Sequence, residues 1–191
     1  MASLIPKDVD VLVDAWYVVT MNETRDIIHR GSIAVVGDKI IDVGKTAVLE
    51  KKYNPARRIG GDRFVLTPGL VNSHIHITGE PITRGYVPDD TPFEENVFQW
   101  LTPLYALQNR QEEMVSARLA VAEMLRSGTT CFLEAGTINH LDYVMEELPT
   151  LGIRGRVGKW VWDLPPEPST YRQTTDQAIK HLQHQLETYN K

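Results

Sequence analysis

The residues best suited to chemistry are His74 and His76, in the stretch HIHITGE over 74–80. They flank one isoleucine and follow LTPGLVNS, a Pro-Gly break and then a short apolar run. Side chains on a strand alternate between faces, so positions i and i+2 share one, about 6.6–7 Å apart along the backbone. Two imidazoles leaning together from such positions reach one metal ion, each through an N–metal bond of about 2.0–2.1 Å. Ile75 then points into the opposite layer. Two histidines that merely hydrogen-bond inside a core are the alternative. The Pro-Gly entry, the apolar strand and the pattern that follows argue against it.

That pattern is an alternation of strands and helices. GLVNSHIH is a short apolar strand. QEEMVSARLAVAEMLRSG is a helix with Met114, Ala117, Val121, Met124 and Leu125 on one face. Gly128 stands where a helix C-terminal glycine belongs. TTCFLEAG is a second buried strand, and NHLDYVMEELPTLG a short helix with Asn139 as N-cap. IRGRVGKWVWD is a third strand. TTDQAIKHLQHQLETYN is a third helix, its Ile179, Leu182 and Leu186 turned to the core. The order β-α-β-α-β-α predicts a parallel sheet. Residues 1–67 have a different texture: β-branched and aromatic runs, with a hairpin signal at Gly37-Asp38 inside GSIAVVGDKIIDVG. They read as a small β domain.

Composition narrows the function. The net charge of −5 supplies no basic patch for nucleic acid. The single cysteine, Cys131, excludes an internal disulfide and suits a reducing compartment. No apolar run is long enough to span a bilayer. Asp8, Asp10 and Asp14 interrupt the apolar core that an export signal needs. A cytoplasmic, homo-oligomeric protein with no membrane or nucleic-acid partner is expected.

Three βα units leave a parallel sheet with edges to be covered. A closed (β/α)₈ barrel takes about 250 residues, and the segment 68–191 is about half of that. The fold class expected is therefore α/β: the N-terminal half of a (β/α)₈ TIM barrel over 68–191, preceded over 1–67 by part of a small β domain. The C-terminal remainder of the same protein would be its partner.

TPGLVNSHIH resembles the first barrel strand of the amidohydrolase superfamily. Arg84-Gly85, FQWLTPLYAL around Trp100 and Pro103, AEMLRSGTTCFLEAG and GIRGRVGKWVWD are similar to the branch of triazine chlorohydrolases, guanine deaminase and adenosine-analogue deaminases. The strands of 1–67, with VVGDKIIDVG, are similar to that branch's small β-sandwich domain, and the resemblance implies one divalent metal, zinc first, with iron, manganese or cobalt as alternatives. His74 and His76 match its first two ligands. A histidine from strand five and an aspartate from strand eight would complete the set. The proton-shuttling glutamate and a further histidine would also come from the second half, so the catalytic acid and base are not assigned here. The implied reaction is hydrolysis of a C–N bond, or of C–halogen or C–S, by metal-bound hydroxide. A metal-free scaffold of the same fold and a purine or nucleoside deaminase are the alternatives.

Four residues are candidates for contact with a small-molecule substrate. Arg84 follows strand one. Trp100 lies in the apolar run ENVFQWLTPLYAL. Trp160 shares a strand face with Trp162, and Lys159 points the other way. Tyr105 stands where the resemblance puts, in some nucleoside deaminases, a glutamate that grips the base. Tyr105 together with the aromatic residues and the proline-rich loop WDLPPEPSTYRQ favours a small uncharged N-containing substrate bearing alkyl or aryl groups. Glu134 is expected to anchor a loop or a group just behind the site, and His181 and His184 to lie on a solvated helix face.

Overall fold

Alternating β-branched and aromatic residues build a long first strand, β1 (Lys7–Val19). It belongs to the first of two compact units, Met1–Pro68 and Gly69–Lys191, in a computed structural model that describes residues 6–164 and 171–189. The prolines of the loop after Trp162 (Pro165, Pro166 and Pro168) fall outside the described residues.

In the first unit, β2 (Ile27–Val36) and β3 (Lys39–Lys45) form the hairpin expected at Gly37-Asp38, with Val36 opposite Lys39. A helix the pattern does not announce, α1 (Thr46–Lys52), then carries the chain to β4 (Tyr53–Leu66). The sheet order is β3-β2-β1-β4; β1 runs antiparallel to β2 and parallel to β4. Seven residues are too few to display a helical period, but α1 supplies Leu49 to a core of Val9, Leu12, Ala34 and Tyr53. The last strand ends at Leu66, ahead of Pro68, which has no N–H for a ladder.

The second unit is a parallel three-stranded sheet, β5 (Leu70–Ile75), β6 (Thr129–Glu134) and β7 (Arg154–Arg156), in that order. Between β5 and β6 lie α2 (Glu80–Thr83), a π-helical segment Glu95–Leu101, α3 (Thr102–Leu107) and α4 (Arg110–Arg126). Asn109 caps α4 through a capping box: its side chain accepts from the backbone N–H of Gln111 and Glu112, and Glu112 accepts from the Asn109 N–H. Gly128 ends the helix with φ at +87°. The buried face of α4 packs Met114, Ala117, Val121 and Met124 against Ile75, Ile77 and Phe132. Leu125, expected on that face, is exposed.

α5 (Leu141–Glu147) is capped differently from the expectation. His140, not Asn139, holds the N-cap position and makes no side-chain cap bond. The fully buried Glu113 of α4 takes over, accepting from the backbone N–H of Asn139 at 2.7 Å and of His140 at 2.8 Å. A carboxylate is the stronger acceptor, and the Asn139 amide is left to bond the Tyr105 carbonyl at 2.7 Å.

The third strand is shorter than its apolar run. Only Arg154–Arg156 pairs with β6; beyond it single bridges join Thr137 to Lys159 and Trp162 to Arg172. α6 (Thr175–Tyr189) buries Ala178, while Ile179, Leu182 and Leu186 remain exposed, contrary to expectation. Leu182 and Leu186 line an open groove of about 500 Å³ with Met145, Leu148, Ile153 and Val157, so the stripe faces apolar neighbours without closing on them.

Candidate metal and substrate site

Strand β5 ends at Ile75, whose side chain is buried in the core shared with α4. His74 and His76 therefore project away from that core. Their ring centroids are 5.0 Å apart with the planes nearly perpendicular. His74 is exposed and His76 partly buried.

His76 is held from two sides. The Trp160 ring lies edge-on at 5.7 Å and the Tyr105 ring tilted at 6.4 Å. Trp160 is itself fixed: its backbone N–H donates to the Gly136 carbonyl at 2.8 Å and its indole N–H to the Ala135 carbonyl. Gly136 has φ at +100°, and a Cβ there would overlap the indole, so glycine is required on both counts. Tyr105 is 3% exposed and packs against Gly79, where a Cβ would strike the ring. Burial pushes its phenol up to about 12; the charge on Glu80 adds to this and a hydrogen bond with Thr83 opposes it.

Beneath His76 lies Glu134, at the end of β6, with its side chain fully buried. One carboxylate oxygen accepts from the Ile77 N–H at 2.6 Å. The other accepts from the N–H of Gly136 and Thr137 and from the Thr137 hydroxyl, at 3.1, 2.9 and 2.8 Å. Glu134 thus ties the turn after β5 to the turn after β6. Its Oε1 lies 3.6 Å from Nδ1 of His76, a buried nitrogen with no hydrogen-bond partner among the described residues.

The remaining candidates are dispersed. Arg84 turns to the flank of α4, where its guanidinium meets both oxygens of Glu123 at 2.8 and 3.0 Å. Trp100, in the π-helical segment, is 40% exposed. Its neighbour Phe98, which sequence reasoning passes over, meets Trp162 edge-on at 6.1 Å, and Trp162 lies 5.6 Å from Trp160. A row of aromatic rings, Phe98–Trp162–Trp160, therefore ends at His76. Phe98 lies two residues before Trp100 in the same apolar run, which is the signal that was available. Lys159 points away from this row, donating to the Asn139 carbonyl at 2.9 Å; desolvation lowers its pKa and Glu113 opposes the shift. His181 and His184 border a groove of about 450 Å³ together with His140 and Lys159.

Two imidazoles on one face, one with a buried nitrogen facing a carboxylate, fit the nitrogen donors that zinc prefers. Among the described residues no third histidine, cysteine, aspartate or glutamate joins them in a group able to hold an ion. Glu134 is occupied by four donors and is not free to serve as a ligand.

The amidohydrolase family model matches residues 65–190, and the chain belongs to that family. It is 34% identical over 148 residues to a 5-methylthioadenosine/S-adenosylhomocysteine deaminase of Clostridium tetani, covering 78% of this chain and 33% of the relative. An adenosine deaminase from Xanthomonas campestris with bound zinc superposes with a TM-score of 0.81 at 28% identity, over 97% of this chain and 41% of that one. The zinc complex of atrazine chlorohydrolase from Arthrobacter aurescens TC1 shares the fold, with a TM-score of 0.71 at 20% identity, over 95% of this chain and 43% of that one. The chain thus spans about a third of the length of the curated relatives it matches. Among the described residues no helix is long and apolar enough to cross a membrane.

Proposed function

We propose that this chain supplies the first two metal ligands and one wall of the substrate pocket of a metal-dependent deaminase, acting on the amino group of an adenine nucleoside or a similar small N-heterocycle. The observation that carries the reading is the pair His74 and His76, side by side at the end of a parallel strand. The sheet β5-β6-β7 is then the first part of a (β/α)₈ barrel whose later strands bring the remaining ligands and the proton-transferring groups. A divalent ion held there supplies hydroxide near neutral pH by lowering the pKa of its water to about 7.

The chain's own residues orient and shield. Trp160 and Tyr105 restrict the His76 ring and keep water from its inner face. Trp160 and Trp162, tilted at 58° to each other, offer an apolar wall for a heterocycle, and Trp100 lies in the segment that would border it. Arg84 would reach a polar substrate group after leaving Glu123. The names of the relatives favour a nucleoside. A second reading, a small uncharged heterocycle with alkyl or aryl groups, is favoured by Tyr105, which puts a buried phenol where a base-gripping glutamate would stand.

The test uses the whole protein. Metal content is measured first, then kcat/KM for adenosine, 5-methylthioadenosine, S-adenosylhomocysteine, guanine and an alkylated triazine. The expected result is a stoichiometric divalent metal and ammonia release, fastest from an adenine nucleoside. Preference for the triazine by a hundredfold or more selects the second reading. Trace metal and no hydrolysis of any compound after reconstitution with zinc would overturn both and leave a scaffold.

A further inference from the structure

We infer that Glu134 is a positioning residue for His76: its buried negative charge holds the ring as the tautomer with the proton on Nδ1, leaving the Nε2 lone pair free to bind metal. This rests on His76 being a ligand, but it concerns the metal-free ring as well.

The argument is electrostatic. Nδ1 of His76 is buried, lacks a hydrogen-bond partner among the described residues and faces Oε1 of Glu134 at 3.6 Å. If Nδ1 carried the lone pair, two electron-rich atoms would confront each other at a separation too short for a bridging water. A proton there turns repulsion into attraction, and gives a buried donor an acceptor as the two atoms close the gap. A ring flip would escape the choice, but the Trp160 and Tyr105 rings crowd it, with centroids at 5.7 and 6.4 Å. Glu134 cannot swing away either. Its two oxygens are pinned by Ile77 on one side and by Gly136 and Thr137 on the other. The same four donors that make Glu134 a loop anchor therefore aim its charge at the histidine. A carboxylate behind a metal-binding imidazole fixes ring orientation and raises the basicity of the ligating nitrogen.

The experiment has two parts. Nitrogen NMR of the whole protein with isotope-labelled histidine, stripped of metal at a pH where the ring is neutral, reads the tautomer of His76 directly. The expected signal is a protonated Nδ1; a protonated Nε2 in the unsubstituted protein overturns the inference even if the enzyme is active with metal. Conversely, a protein that binds no metal but shows the Nδ1 proton refutes the proposed function and leaves this inference standing. Zinc affinity is then measured by chelator competition for Glu134→Gln and Thr137→Val. Glu134→Gln removes the charge and is expected to weaken zinc by about 10- to 100-fold. Thr137→Val removes one of the four donors but keeps the charge, and is expected to weaken zinc several-fold less than Glu134→Gln does. Equal losses in both variants would reduce Glu134 to a loop anchor. Should Glu134→Gln fail to fold, the NMR measurement decides alone.

Discussion

Glu113 grips His140 twice. Its carboxylate accepts from the His140 backbone N–H at 2.8 Å and lies 2.8 Å from the ring Nδ1. The same carboxylate accepts from the Asn139 N–H, so one buried side chain of α4 orders the segment that enters α5. Asn139 passes the constraint on, through its amide to the Tyr105 carbonyl and through its own carbonyl to Lys159. Loop, helix and the Tyr105 wall of the site are thereby tied to one charge.

Replacing Glu113 with alanine should therefore cost more than a surface cap. Two backbone donors and a ring nitrogen lose their acceptor, at about 1–3 kcal/mol for each donor left buried and unpaired. The expected loss is about 2–5 kcal/mol by chemical denaturation, with Glu113→Gln milder because it keeps one acceptor. A loss within experimental error in the alanine variant would mean that the segment finds other partners.

Gly136→Ala is expected to disturb the site without touching a histidine. Its φ of +100° disfavours any Cβ, at about 1–2 kcal/mol, and the added carbon collides with the Trp160 indole besides. Trp160 must move, and with it the ring that restrains His76. The expected result is a lowered Tm together with altered tryptophan fluorescence. Unchanged fluorescence would show that the loop, not the indole, yields.

The alkaline limb of stability should carry a contribution from Tyr105. Its folded pKa is raised to about 12 from an ordinary value of 10.0, chiefly by burial. Between those values the unfolded chain has released the phenolic proton while the folded one retains it. Stability is thus full below pH 10 and falls as pH rises through this window. Tyr105→Phe has no proton to lose, so its denaturation midpoint should decline less steeply there than that of the parent. Parallel slopes would rule Tyr105 out as the source.

What could be read from the sequence was whatever is local. The HIH pair, the helix at 110–126 and the turn at Gly37-Asp38 announce themselves through spacing, period and turn chemistry within a dozen residues. Glu113 did not, because QEEM offers two glutamates and only packing decides which is buried. Its position i, i+3, i+4 and i+7 with Ser116, Ala117 and Ala120 was the usable hint. Alternation put Trp160 and Trp162 on one face but could not say which layer that face meets; the structure sets Trp160 against His76. The apolar stripe of α6 has a clear helical period yet stays exposed, since periodicity reports the stripe and not its cover.

His74 and His76 should not respond alike to removal. Both are expected to contribute a nitrogen to the same ion, so alanine at either position should lower metal content and turnover by a large factor. Their surroundings differ. His74 is exposed, whereas His76 is partly buried beside the Trp160 and Tyr105 rings, with Nδ1 buried and facing Glu134. His74→Ala should therefore leave the metal-free protein as stable as its parent. His76→Ala should open a void beside two aromatic rings and leave the Glu134 charge facing it, costing about 0.5–3 kcal/mol in the metal-free protein. Elemental analysis and denaturation of both variants, with and without metal, separate the two effects. Full metal occupancy in both would defeat the shared-ion reading, and equal stability losses would contradict the packing around His76.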